Sequence, residues 1–236
     1  LKLLNHFGIS KKIISYHHHN RIHAGQKIIE LAKSGKVIAI LSDAGMPGIS
    51  DPGSELVCLA RENGIPVTTL PGPSAVLSAL LLSGMDGSRF VFEGFLPKEK
   101  KDRKSRLQAL KREERTTVIY EAPHRLVATL SELHEELGNR KIAVARELTK
   151  FFEEVLVCDL KEAIDVFSQR TPKGEIALVL KGAFMEDINV FLNTPVKKHV
   201  EFYIDAGLEK KEAIKQVALD RKMPKSQVYK YMILEE

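Results

Sequence analysis

Residues 41–53 read L-S-D-A-G-M-P-G-I-S-D-P-G, and the rest of the chain is organised around them. They follow residues 36–40 (K-V-I-A-I), a short β-branched apolar run after Gly35 whose pattern predicts a buried strand. They precede Ser54–Glu62, where Leu56, Val57, Leu59 and Ala60 recur at helical spacing. A strand thus enters a loop holding Gly45, Gly48, Gly53, Pro47 and Pro52, and a helix leaves it. Glycine lets backbone approach a ligand, while proline fixes φ and stiffens the loop. In open α/β sheets, ligands lie in the crevice at the carboxyl ends of the strands. The loop is neither a Walker A sequence nor G-x-G-x-x-G, so the two commonest phosphate cradles are absent.

A second loop of the same kind, Pro71-Gly72-Pro73-Ser74-Ala75, follows a predicted strand at residues 66–70 and opens a small-residue helix over 74–83. Ser74 is placed to cap that helix, and Ala75 leaves room for a ligand at its first turn. Two strand ends carrying rigid loops point to one small-molecule pocket.

These residues, with E-G-F-L-P at 93–97, Y-E-A-P-H-R at 120–125 and R-E-L-T-K at 146–150, carry a family resemblance. The ordered set closely resembles the bacterial small-subunit ribosomal RNA methyltransferases of type I. These belong to the tetrapyrrole methylase superfamily, the class III fold of S-adenosylmethionine enzymes. The resemblance implies an α/β protein of two lobes, residues 1–88 and 89–182, and a helical, helix-turn-helix-like tail at 183–236. It also implies that the first strand of the N-terminal lobe is missing from this chain.

The same resemblance implies S-adenosylmethionine as cofactor, held by Asp43, Gly45, Met46, Ile49, Ser74, Ala75, Tyr120, Glu121, Ala122 and Ala177. It implies methylation of a cytidine 2′-hydroxyl in 16S ribosomal RNA, by a homodimer acting on the RNA or the assembled small subunit. The alternatives are a methyltransferase of this fold acting on a tetrapyrrole or diphthine intermediate, or a non-catalytic RNA-binding protein.

Composition agrees with a globular chain: of 236 residues, 44% are hydrophobic and 28% charged. The longest apolar stretch, 75–82, is interrupted by Ser78 and is far too short to span a bilayer, so a cytoplasmic protein is expected. Cys58 and Cys158 both sit on apolar patterns and are expected as buried thiols. The net charge of +5 favours a polyanionic partner. Residues 98–112 concentrate that charge, with eight Lys/Arg against two Asp/Glu. Lys100, Lys101, Arg103 and Lys104 are therefore expected at the RNA backbone, with Arg125 and Arg146 at nearby strand ends.

Transfer to a ribose hydroxyl benefits from a base, and Glu121, His124 and Glu147 are the ionisable candidates at strand ends. No G-x-S-x-G and no C-x-x-C is present, which argues against acyl transfer and zinc chemistry. His17, His18, His19 and His23 invite a metal reading, but consecutive residues alternate sides and nothing completes a ligand set, so no metal is expected. In the second lobe, strands are predicted at 116–120, 141–145, 155–157 and 174–181, with helices at 123–137 and 161–168. In the tail, three helices surround a tight turn at 221–224, a unit for docking substrate or for packing a dimer.

Overall fold

The structure, a computed structural model, describes residues 2–170, 172–183, 194–205 and 208–234. Its centre is a mixed sheet of five strands: β1 (Phe90–Phe95), β2 (Thr116–Glu121), β3 (Lys141–Arg146), β4 (Glu154–Asp159) and β5 (Ile176–Leu180). The order is β1-β2-β5-β3-β4, with β1 and β2 parallel and the remaining pairs antiparallel. These segments alternate large and small apolar residues on two buried faces, as a sheet covered on both sides requires.

One face carries Ile119, Ile142, Val144, Ile176, Leu178 and Leu180. It is covered by α5 (Lys100–Lys111), α6 (Leu126–Leu137) and α7 (Leu160–Ser168), which contribute Leu107, Leu130, Leu133 and Phe167 among others. The other face carries the smaller Val118, Ala143, Ala145, Ala177 and Val179, so α4 (Ala75–Ser83) can lie close through Val76, Ala79 and Leu80. A three-residue 3₁₀ turn, Pro123–Arg125, links β2 to α6.

Ahead of the sheet stand α1 (Lys2–His6), α2 (Arg21–Lys33) and α3 (Ser54–Glu62). The last two close on Ile28, Ile29, Leu56 and Ala60, with Ile65 and Val67 packed against them. The strands expected at 36–40 and 66–70 are not formed. A strand exists only through a neighbour's hydrogen bonds, and among the described residues neither segment pairs with one. Val37 is 99% exposed and Leu70 84%. Cys58 also departs from expectation. It lies on the outer side of α3, exposed, and donates to Glu62 Oε1 at 3.5 Å, whereas Cys158 is buried as expected.

The tail forms α8 (Val196–Asp205), α9 (Lys210–Asp220) and α10 (Lys225–Leu234) around Val200, Ala213, Ile214, Val217 and Val228. Gly207, expected to end the first of these, lies outside the described residues. Among the described residues no helix is long and apolar enough to cross a membrane.

Candidate functional site at the loop and strand ends

The central loop takes its shape from backbone that few residues adopt. Gly45 (φ 70°), Gly48 (φ 81°), Ser50 (φ 59°) and Gly53 (φ 154°) all have positive φ. Gly48 and Gly53 touch: a Cβ on Gly53 would lie 3.2 Å from the Gly48 Cα. Ser42 Oγ donates to the carbonyls of Ala44 and Gly45 at 3.0 Å and fastens the entrance.

Three approaches tie the two loops, α4 and the sheet together. The Cβ direction of Gly45 faces Pro73 O at 3.9 Å, so the first and second loops meet there. Gly94 (φ 67°) follows an irregularity in the β1–β2 register, and its Cβ direction faces Ser50 Oγ at 3.7 Å. The hydroxyl of Tyr120, near the end of β2, faces the backbone N–H of Val76 in the first turn of α4, which favours the ionised form of the phenol. Burial chiefly, with the charges of Asp51 and Glu175 nearby, raises the Tyr120 pKa and keeps it a neutral phenol. Its ring is fixed by Phe92 at 5.0 Å and Phe95 at 5.7 Å between centroids. Ser74 caps α4 by accepting from Leu77 N at 3.4 Å, as its position predicts.

The expected site residues separate into distinct groups. Asp43, Gly45, Met46, Ile49, Ser74, Ala75 and Tyr120 lie on the loops and strand end just described. Ala177 is buried, paired in register with Tyr120 and Ala145 beneath α4. Glu121 is a structural anchor. Its Oε2 accepts from Thr129 Oγ1 at 2.5 Å and its Oε1 from Ala122 N at 2.8 Å, with Arg125 Nε at 3.5 Å. Glu147 accepts from Lys150 Nζ and from Glu175 N, both at 2.9 Å, and these bonds lower its pKa. His124 is exposed on the 3₁₀ turn that follows Ala122.

Lys100, Lys101 and Lys104 project from α5 into solvent, but Arg103 turns inward and is 9% exposed. It donates to Glu132 Oε2 at 2.5 Å, Thr129 Oγ1 at 2.7 Å and Pro97 O at 3.3 Å, so it is not available to phosphate. Arg146 is similarly engaged by Glu154 at 3.0 Å and Lys173 O at 3.2 Å, and Arg125 reaches Leu96 O at 3.5 Å. Ser50, Asp51 and Gly94, which lie beside Tyr120 or the central loop, were not singled out by sequence, although the E-G-F-L-P run containing Gly94 was already conspicuous. It also missed Arg106, which forks onto the largely buried Glu93 and fixes α5 against β1. At 15–20 the histidine segment is a turn tied by Asn20, which accepts from His17 N and donates to Ser15 O. Among the described residues no cluster of three or more His, Cys, Asp or Glu could hold a metal ion.

Glycine-rich backbone where the two loops meet, with no side chain at Gly45 and carboxylates at Asp43 and Asp51 in the same loop, suits close approach of a cationic ligand such as a sulfonium. Residues 5–164 match the model of the Tetrapyrrole (Corrin/Porphyrin) Methylases. The chain belongs to that family. Within it, the chain is 46% identical over 232 residues to the ribosomal RNA small subunit methyltransferase I of Halalkalibacterium halodurans, covering 97% of this chain and 80% of the relative. The enzyme of the same name from Bacillus subtilis matches equally, at 46% over 232 residues with the same coverage. Among solved structures, a diphthine synthase superposes with a TM-score of 0.56 at 16% identity, over 76% of this chain and 72% of that one. The methyltransferase CobJ superposes with a TM-score of 0.54 at 21% identity, over 74% of each chain. These two share the fold. The chain is a methyltransferase of the tetrapyrrole methylase family, and its cofactor is S-adenosylmethionine.

Proposed function

We propose that this enzyme methylates the 2′-hydroxyl of a cytidine in 16S ribosomal RNA, in the cytoplasm, as a homodimer acting on the small ribosomal subunit. The observation that carries the reading is the 46% identity, over 97% of the chain, to proteins named for small-subunit ribosomal RNA methylation. The exposed Lys100, Lys101 and Lys104 on α5 support a polyanionic acceptor, as RNA is. In this reading residues 1–88 and 89–182 hold the cofactor between them, and the unit beyond 183 docks the substrate.

Bound S-adenosylmethionine supplies a methyl group on a sulfonium, open to in-line attack by an oxygen. The protein's part is positioning, which supplies much of the acceleration in such transfers. Gly45 and Pro73 would bring backbone against the bound cofactor, and Asp43 and Asp51 would offer negative charge to its sulfonium. Tyr120 packs against the cluster that seats α4 on the sheet, beside the second loop. Among the three candidate bases, Glu121 is sealed and saturated, and Glu147 is held as a weakly basic carboxylate by Lys150 and Glu175. His124, exposed on the turn two residues beyond Ala122, takes the ribose proton in this reading.

The test is transfer of tritiated methyl from S-adenosylmethionine to small ribosomal subunits, naked ribosomal RNA, or a tetrapyrrole. Label in an RNA-containing acceptor supports the reading. Label in the tetrapyrrole alone, or in none of the three, overturns it.

A further inference from the structure

Between β3 and β4 the chain turns through residues 147–153 and displays two adjacent phenylalanines, Phe151, 94% exposed, and Phe152, 66% exposed. Their rings meet edge to face at 5.0 Å. Single exposed apolar residues are ordinary, but two neighbouring aromatic rings held out in water mark a contact surface. The loop beneath them is pinned. Lys150 Nζ bridges Glu147 Oε1 at 2.9 Å and Glu175 Oε2 at 3.0 Å, and Thr149 N donates to Glu153 Oε2 at 2.5 Å. Glu147 and Thr149 hold positive φ. Rings on a fixed support lose little freedom when a ligand stacks on them.

The register of the sheet sets this loop on the edge that carries the candidate site. Glu121, Ile176 and Arg146 are paired across β2, β5 and β3, and Arg146 pairs in turn with Glu154 of β4. The loop leaving Arg146 therefore starts two strands from the end of β2, roughly 10 Å at the usual strand spacing. It stands on the Tyr120 face of the sheet, since Leu148 and Val155 pack against the same cluster as Tyr120. Lys150 ties the loop to Glu175, whose charge reaches the Tyr120 phenol together with that of Asp51 in the central loop. A nucleotide held beside the central loop thus has its neighbour in the strand within reach of the two rings.

We propose that Phe151 and Phe152 form a stacking platform for an unpaired base of the RNA that flanks the methylated nucleotide. The proposal rests on the RNA acceptor of the preceding reading and names residues that grip it beside the site. Proteins hold single-stranded RNA by stacking its bases on exposed aromatic side chains, because every base has a π-face. The carboxylates at this edge are already engaged. Glu147 and Glu175 share Lys150, and Glu154 is paired with Arg146 and Arg170. Lys173, whose carbonyl accepts from Arg146 at 3.2 Å, is exposed and makes no ion pair among the described residues. Its ammonium is available to the phosphate next to a stacked base.

Fluorescence anisotropy with a fluorescein-labelled, unpaired RNA containing cytidine tests this on the full chain in the presence of S-adenosylmethionine. Phe151→Ser with Phe152→Ser is expected to lower affinity at least about fivefold, the lower end of what one lost stacked base costs. The loss should be equal at every salt concentration, because stacking releases no counterions and leaves the log–log slope unchanged. Phe151→Tyr with Phe152→Tyr keeps the π-faces and should bind like wild type, whereas Phe151→Leu with Phe152→Leu should bind like the serine variant. Both positions are exposed, so the melting curve should not move. Equal affinity of wild type and serine variant overturns the proposal, as does a leucine variant that binds like wild type, which would make the contact merely apolar. A serine variant that sediments as a smaller species than wild type also overturns it, by assigning the loop to a contact between copies of the chain. Methyl transfer to small ribosomal subunits reports separately: a wild-type chain that labels none sinks the preceding reading, and the fivefold difference in RNA affinity would still leave the platform standing.

Discussion

Thr129 Oγ1 donates to Glu121 Oε2 at 2.5 Å, and neither residue is more than 2% exposed. Arg103 extends the chain by donating to the same hydroxyl at 2.7 Å, so α5, α6 and the end of β2 share one buried knot. This knot holds the strand end that carries Tyr120 and Ala122. It makes Glu121 a scaffold residue. Thr129→Val leaves Glu121 short of a donor and is expected to destabilise the fold by about 1–3 kcal/mol, the cost of an unsatisfied buried polar group. Denaturant unfolding measures it. Stability unchanged in that variant, with turnover abolished in Glu121→Gln, would return Glu121 to the list of bases.

Gly45 and Gly64 test whether the central loop faces the cofactor. Both have φ near 70°, so valine strains the backbone equally at each. Only Gly45 looks across to the second loop; nothing lies within 4 Å of the Cβ position at Gly64. Gly45→Val is expected to weaken S-adenosylmethionine binding by more than about tenfold, roughly 1.4 kcal/mol, while Gly64→Val lowers stability alone. Calorimetry alongside thermal melts separates the two effects. Equal affinity in both variants would remove the loop from the site.

The sequence announced the second lobe well, because its strands and helices each bury one periodic face against a neighbour within the described residues. Ile142 and Val144 alternate with Ala143 and Ala145, and the structure buries one pair under α5–α7 and the other under α4. Residues 36–40 and 66–70 have equally strong β patterns, yet a pattern expresses only a preference, and a ladder needs a partner. Side-chain direction was the harder part of the site. Arg103 and Lys104 look alike in a basic run. Helical geometry puts Arg103 on the stripe with Leu107 and Leu110, and that spacing was the available signal. Long-range pairs such as Glu121 with Thr129, or Gly94 with Ser50, leave no local trace in the sequence.

Charge reversal at Lys100, Lys101 and Lys104 is expected to weaken RNA binding and flatten its salt dependence, each lost contact removing about 0.7–0.9 from the log–log slope. Arg103→Glu behaves differently, because it breaks the buried knot and lowers the melting temperature. Filter binding over a salt series and a thermal melt distinguish them. A slope identical to wild type in the triple variant would make α5 a plain solvated face.

The tail contains its own acid sensitivity. His199 is fully buried between Tyr203, whose ring stacks on it, and the side chains of Asp220 and Arg221. Burial, more than the opposing pull of Asp220, pushes its pKa below the ordinary 6.5, and Arg221 pushes the same way. A depressed value means that the folded tail binds the proton less readily than the unfolded one. Its contribution to stability is therefore present above about pH 6.5 and is lost as pH falls through the depressed value. Helicity lost reversibly from α8–α10 on acidification, and reduced sensitivity in His199→Gln, are the expected outcomes of circular dichroism. A wild-type tail with a flat profile from neutral to acid would contradict them.

The account turns on a single product. A methyl on the ribose 2′-oxygen removes the nucleophile that cleaves the adjacent phosphodiester in alkali, so a methylated cytidine leaves an alkali-resistant dinucleotide. Small ribosomal subunits incubated with the enzyme and methyl-labelled S-adenosylmethionine, then hydrolysed in alkali and resolved by mass, should show the label in one such dinucleotide with cytidine on its 5′ side. Label found only in mononucleotides would place the methyl on a base, and no label in RNA would deny the acceptor; either result would contradict ribose methylation by this chain.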